Sequence, residues 1–188
     1  EITQAKRVDV KGQKRDILKT MHRIQKQSIT VYNNHWRSLN APENHRRAYA
    51  RALVQDSGPE SEYIISGDFN SNYDRYLYLR QNAAINDSLH TMSKETLHRA
   101  AGLGPKQHYT LWLEIPCKER FSYRYRGRNN TLDGIILPRT LFDKKGIDYV
   151  KSSFHVFKPN YLYRNGRINE AYSDHLPVIA RFSTDGFI

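Results

Sequence analysis

Tyr63-Ile64-Ile65-Ser66-Gly67-Asp68-Phe69-Asn70 reads as a short buried strand that stops at a glycine and ends in two polar side chains around one aromatic. The apolar run is too short for a helix, and its β-branched isoleucines suit a strand covered by protein. Gly67 permits a tight exit where a side chain would obstruct it. A period of two then sends Asp68 and Asn70 to one side and Phe69 to the other. A carboxylate and a carboxamide stand together at the end of a sheet, with Phe69 anchoring the turn. Such a pair can orient an attacking water and hydrogen-bond a phosphate oxygen. An ordinary Asp/Asn turn has the same composition, so the segment has to be weighed with others.

Three other segments carry related chemistry. Asp133 stands alone in the apolar run Thr131-Leu132-Asp133-Gly134-Ile135-Ile136-Leu137, and a carboxylate buried there needs a partner. A histidine such as His175, in Tyr172-Ser173-Asp174-His175-Leu176-Pro177, would satisfy it and be oriented by it. Asp174 and His175 are adjacent, so an extended chain points them differently, one toward a metal and the other toward a phosphate. Upstream, the strand Ile29-Thr30-Val31-Tyr32-Asn33 ends in Asn34 and His35, followed after Trp36 by Arg37 and Ser38. That group can offer several hydrogen bonds to a phosphate. Each segment also has a plain structural reading: an Asp at a strand edge, a histidine in a surface loop, a polar strand terminus.

In chain order, Asn34-His35-Trp36-Arg37-Ser38, Gly67-Asp68-Phe69-Asn70, Leu132-Asp133 and Ser173-Asp174-His175 resemble the endonuclease/exonuclease/phosphatase superfamily, the deoxyribonuclease I-like fold. Within it they look most like the bacterial nucleases. The resemblance implies an α/β sandwich, two β-sheets flanked by helices. It implies that Asp68 positions or deprotonates the attacking water and that Asn70 steadies the phosphate and metal surroundings. His175, oriented by Asp133, would hydrogen-bond the scissile phosphate or transfer a proton. His35, with Asn34 beside it, would contact phosphate or assist the leaving oxygen. Asp174 and Asp68 would contribute to a divalent-metal site holding Mg²⁺, or Mn²⁺ or Ca²⁺ in its place, because these ligands are hard oxygens.

The family's domain normally opens with a strand ending in Asn and a Gln-Glu segment whose glutamate is the principal metal ligand. Neither precedes residue 28, so the resemblance covers residues 14–183 and implies a missing N-terminal part of the fold. The chain by itself is then expected to bind metal poorly, and a complementary N-terminal segment or a homodimer would cover the apolar sheet it exposes.

At 188 residues, with 38 % hydrophobic side chains, residues 1–188 fit one domain with a core. No apolar run is long enough to cross a membrane as a helix. The single cysteine, Cys117, excludes an intramolecular disulfide and a cysteine-based zinc site. The net charge of +11 is concentrated in residues 1–60 (+6) and 117–170 (+7), which suits a polyanionic partner. Lys118, Arg120, Arg124, Arg126 and Arg128 fall on alternate positions from Phe121, Tyr123 and Tyr125. As a strand, 118–128 would present one cationic and one aromatic face, the first toward a phosphate backbone.

For the remaining elements, the spacing of Ile17, Leu18, Met21 and Ile24 predicts a helix over 11–26. A strand is expected at 28–36, a helix at 43–55, and helical pieces with loops over 71–107. Strands follow at 109–115, 121–127, 132–137, 149–157 and 177–183. Together these imply metal-dependent hydrolysis of nucleic acid, DNA first, by a sequence-tolerant nuclease. The alternatives are a phosphatase or sphingomyelinase-type phosphodiesterase, or a non-catalytic remnant that binds nucleic acid or a partner. The resemblance to exported nucleases points toward the periplasm or the exterior.

Overall fold

Tyr63–Asp68 forms a strand, β4, and the side chains on its two faces enter two different cores. The computed structural model describes residues 1–58, 61–80, 82–91, 103–104 and 107–184. Its main sheet has six strands: β1 (Ile2–Val8), β2 (Ile17–Ile24), β3 (Gln27–His35), β4, β5 (His108–Thr110) and, between the last two, the later strand Asp133–Pro138. Short strands precede and follow that one in the chain. They are numbered in order: β6 (Tyr123–Tyr125), β7 (Arg128–Asn130), β8 (Asp133–Pro138), β9 (Asp148–Tyr149) and β10 (His155–Val156). β11 (Tyr163–Arg164), β12 (Arg167–Ile168), β13 (Val178–Ile179) and β14 (Phe182–Ser183) complete the set. The large sheet runs β1-β2-β3-β4-β8-β5, with β3 and β4 parallel and the other neighbours antiparallel.

The helix α1 (Glu43–Asp56) makes the β3–β4 connection, as a parallel pair requires. Its Tyr49, Ala50 and Leu53 pack with Tyr32, Trp36, Ile65, Phe69 and Ile136 on one face of the sheet. The opposite face, with Ile29, Ile135 and Leu137, packs against Trp112, Leu141, Tyr149, Phe154 and Leu176. Burying one such side chain contributes roughly 1.5–3 kcal/mol, so the two cores hold the sheet between them. The result is an α/β sandwich whose second β layer consists of short pairs, β10-β13 and β14-β9, rather than one continuous sheet.

Residues 11–26 do not form the expected helix. Residues 17–24 are a strand paired on both sides, Ile17 opposite Val8 and Ile24 opposite Gln27. Only Ile17 and Thr20 are buried, whereas Leu18 and Ile24 are exposed. The apolar residues matched a helical spacing by coincidence, and the turn that sets the register, Gln25-Lys26, has positive φ at Gln25 without the usual Asn or Gly. The helix at 43–55 is present within a residue. Residues 111–114 close β5 with a helical turn instead of extending it, and 149–157 is two short strands. In 71–107 the described residues form short turns at Tyr76–Leu79 and Ala84–Ser88, while 81, 92–102 and 105–106 lie outside the described residues.

Strand 118–128 is also shorter than expected. β6 holds 123–125, and Arg126-Gly127, both at positive φ, turn the chain back into β7. The five cations therefore share no face. Arg120 is drawn inward, its guanidinium donating to the carbonyls of Ile115 and Leu113 and to Tyr73 Oη.

Candidate active site

The registers of three adjoining strands assemble the polar cluster. Parallel pairing sets His35 of β3 opposite Asp68 of β4, and antiparallel pairing sets Asp68 opposite Asp133 of β8. Directly opposed residues share a face of the sheet, so three side chains that are far apart in sequence line up at one sheet end. His35 Nε2 lies 3.7 Å from Asp68 Oδ2.

The turn after β4 holds Asp68 from below. Asn70 adopts positive φ, and its backbone N–H donates to Asp68 Oδ1 at 2.8 Å while its Nδ2 donates to Oδ2 at 3.0 Å. Phe69 points the other way and packs edge-on against Trp36, ring centroids 4.9 Å apart. Asn70 Nδ2 also donates to the Trp36 carbonyl, and Trp36 N–H donates to the Asp68 carbonyl. The Asp–Phe–Asn turn and the strand end at Trp36 are thus one hydrogen-bonded unit.

His175 reaches the cluster from just before β13. Its Nδ1 is 2.6 Å from Asp133 Oδ2, which leaves Nε2 facing outward, 4.0 Å from Asp174 Oδ2. Burial and the neighbouring Asp133 carboxylate push the Asp68 carboxyl up from its ordinary value, against the Asn70 amide and the two histidines. The hydrogen bond to Asp133 pushes His175 up, against the effect of its burial. The geometry therefore favours a proton on His175 and a carboxyl at Asp68 that holds its proton more firmly than an exposed aspartate.

Several residues that support this cluster carry no signal in the sequence pattern. Ser122 is fully buried: its Oγ accepts from Asp133 N–H, and its carbonyl accepts from Leu176 N–H beside His175. Trp112 Nε1 donates to the Asp133 carbonyl at 2.8 Å. Arg46, 1 % exposed, makes a forked pair with Glu43 and donates to the carbonyls of Arg37 and Ser38. It pins the loop after β3. The Glu43–Arg46 spacing of three on a helix was the one clue available to it. Arg46→Met removes the forked partner of Glu43, leaving it the Ala84 N–H and the longer contact to Arg75, and frees the Arg37–Ser38 loop. The expected cost is about 3 kcal/mol, read as a lowered midpoint in urea unfolding.

The remaining candidates divide. Asn34 is buried and turned inward, its Nδ2 donating to the carbonyls of Tyr32 and Ser66 and its Oδ1 accepting from Trp36 Nε1. Its amide braces β3 against β4 and is not available to a phosphate as the sequence reading expected. Ser38 is exposed and Arg37 half-buried at the same sheet end. Arg124 donates to Asn129 Oδ1 and covers the Phe121 ring, while Arg126 and Arg128 are exposed on the β6–β7 hairpin.

Asp68 and Asp174 have the oxygen chemistry of a hard divalent cation. Among the described residues, however, no three His, Cys, Asp or Glu side chains converge as a metal site. Both Asp68 oxygens accept from Asn70, and the Asp174 side chain is 63 % exposed. These residues supply only part of a ligand set.

Among curated proteins, none matches the chain in sequence. Solved structures share its fold. Danio rerio TDP2 complexed with a single-strand DNA product is 14 % identical, with a TM-score of 0.63, 98 % of this chain covered and 68 % of that chain. An endonuclease/exonuclease/phosphatase family protein of Leptotrichia buccalis is 12 % identical at a TM-score of 0.61, over 97 % and 62 %. The human Nocturnin catalytic domain with bound sulfate is 19 % identical at 0.54, over 98 % and 60 %. The chain thus spans roughly two thirds of the length of these structures or somewhat less. The family model described as Endonuclease/Exonuclease/phosphatase family matches residues 1–182, which contain all four ordered segments and the cluster they build. By that match, and with a fold to suit it, the chain belongs to the endonuclease/exonuclease/phosphatase family.

Proposed function

We propose that the chain is the hydrolytic core of a sequence-tolerant, divalent-metal-dependent phosphodiesterase that acts on nucleic acid, DNA first. The observation that carries this reading is the 2.6 Å Asp133–His175 pair beside Asp68 and His35 at one sheet end. His175 gives its Nδ1 proton to Asp133 in a hydrogen bond and offers Nε2–H to a phosphate oxygen. Asp68, held by Asn70, orients the attacking water and accepts its proton. His35 lies across Asp68 from that pair, placed to contact phosphate or steady the leaving oxygen. The charge of +11 supports a polyanionic substrate, and the DNA-bound structure of a protein with the same fold supports DNA.

A second reading, a module that binds without turnover, is favoured by the lack of a third acidic ligand among the described residues. Nicking of supercoiled plasmid by the purified chain separates the two. The expected result is nicking with Mg²⁺ or Mn²⁺ that stops with EDTA. Binding of the plasmid without nicking in any of these ions overturns the hydrolytic reading and leaves the binding one.

A further inference from the structure

Beside His175 the surface opens into a groove of about 1000 Å³ that the hydrolytic cluster does not use. One wall is the β6–β7 hairpin, with Tyr123 and Tyr125; the other is the β11–β12 hairpin, with Arg167, and Ser173 and Asp174 lie at its inner end. Tyr123 and Tyr125 are two apart on a strand, so they share a face. Their rings are nearly parallel, 10° between planes and 6.4 Å between centroids. On its inner side the Tyr123 ring lies 4.7 Å from the His175 imidazole. Three flat rings thus form a row that begins at the His175 side chain and runs outward to Tyr125.

Two features say what such a row takes. First, it is exposed: Tyr125 is 53 % accessible although nothing in the core needs it there. The isolated bridge between Tyr123 and His175 holds the row in register with the cluster. Second, the groove is close to electrically balanced, because Glu170 and Asp174 line it along with Arg124, Arg126 and Arg167. Charge alone gives a phosphate backbone little reason to lie there. Flat faces do give a base a reason, since every base has a π-face and stacking is indifferent to sequence. The Arg126 guanidinium lies over the Tyr125 ring, 5.2 Å from its centroid, and adds a further flat cationic group to the platform.

We propose that Tyr123 and Tyr125 are a base-stacking subsite for unpaired nucleotides next to the scissile phosphate, so that the site selects single-stranded or frayed nucleic acid over intact duplex. The proposal rests on the phosphodiesterase reading above and adds the class of strand to it. In a duplex the base faces are already stacked on one another and cannot reach the row. A flipped or single-stranded base can.

The test is fluorescence anisotropy in EDTA, with a labelled single-stranded oligonucleotide and its duplex, on wild type, Tyr125→Ala and Tyr125→Phe. Tyr125 is exposed and outside the hydrolytic cluster, so neither variant threatens the fold. Wild type is expected to prefer the single strand. Tyr125→Ala weakens single-strand binding by about tenfold or more and leaves duplex binding and the salt slope unchanged. Tyr125→Phe, which keeps the ring, restores wild-type binding. Equal loss on both ligands, or no loss on either, overturns the subsite. Failure of wild type to bind either nucleic acid overturns the subsite and the nucleic-acid reading together, whereas binding that ignores Tyr125 overturns the subsite alone.

Discussion

His175→Ala lowers the plasmid-nicking rate by about 10²–10⁴-fold, the range in which a positioned proton donor contributes, with little loss of binding to a non-cleavable oligonucleotide. Asp133→Asn is the more informative partner, because it leaves the imidazole in place and removes what holds its proton. In the wild type the hydrogen bond to Asp133 is the largest influence on His175 and raises its pKa above the ordinary 6.5. The charged form that donates to phosphate therefore persists above pH 6.5, and the rate falls as pH rises through the raised value. Asp68, raised above the ordinary 3.8 mainly by burial, sets the acid limb, where the rate falls as its carboxylate is protonated. In Asp133→Asn the burial of His175 is left unopposed by its main partner, so the alkaline limb moves to lower pH. Rates measured from pH 4 to 10 on both proteins check this, and superimposable alkaline limbs would remove Asp133 from the mechanism. The linkage to stability has the same sign. The pair stabilises the fold fully below the unfolded histidine's pKa, and that contribution is lost as pH rises through the folded value.

The parts of this site that were legible in the sequence share one property: their chemistry is local. Gly67-Asp68-Phe69-Asn70 closes its own hydrogen bonds within four residues, and the lone Asp133 in an apolar run announces the need for a partner. Ser122, by contrast, joins Asp133 to the His175 segment because its carbonyl accepts from Leu176 N–H, a contact 54 residues distant in the chain that no short pattern records. Asn34 was misread for a related reason. A polar residue at a strand end looks available, but the parallel pairing with β4 encloses its amide and consumes it. At the level of fold, residues 17–24 satisfied a helical spacing and yet lie between two strands, because pairing on both edges outweighs a coincidental period. A local signal can also go unsupported by its surroundings, as at Asn165-Gly166. That dipeptide is a strong short-range hairpin signal, and both its residues have positive φ between β11 and β12, but the two-residue strands it joins carry almost no alternating apolar pattern.

Gly67→Ala is expected to cost about 5 kcal/mol or more, enough to leave much of the chain unfolded at ambient temperature. Two effects act together at this position. Gly67 has φ +124, a conformation that L side chains rarely adopt. A methyl group there would also sit 2.1 Å from the Asn34 carbonyl oxygen, far inside contact distance. The obstructing atom is backbone, so no rotamer change relieves it. β3 and β4 would have to separate where their register sets His35 opposite Asp68. Far-UV circular dichroism and urea unfolding of the variant check the loss, and a native-like midpoint would show that the strand ends can part cheaply. The consequence for chemistry follows from the same geometry. Any population of Gly67→Ala that remains folded has β3 displaced from β4, so His35 moves away from Asp68 while Asp133 and His175, on β8 and the segment before β13, keep their pair. Residual activity, normalised to folded protein, should then fall with the loss of His35 alone. His35→Ala in the intact background supplies the value to compare, and a much larger fall would mean that the Asp68 turn, not only the β3 end, depends on the close approach at Gly67.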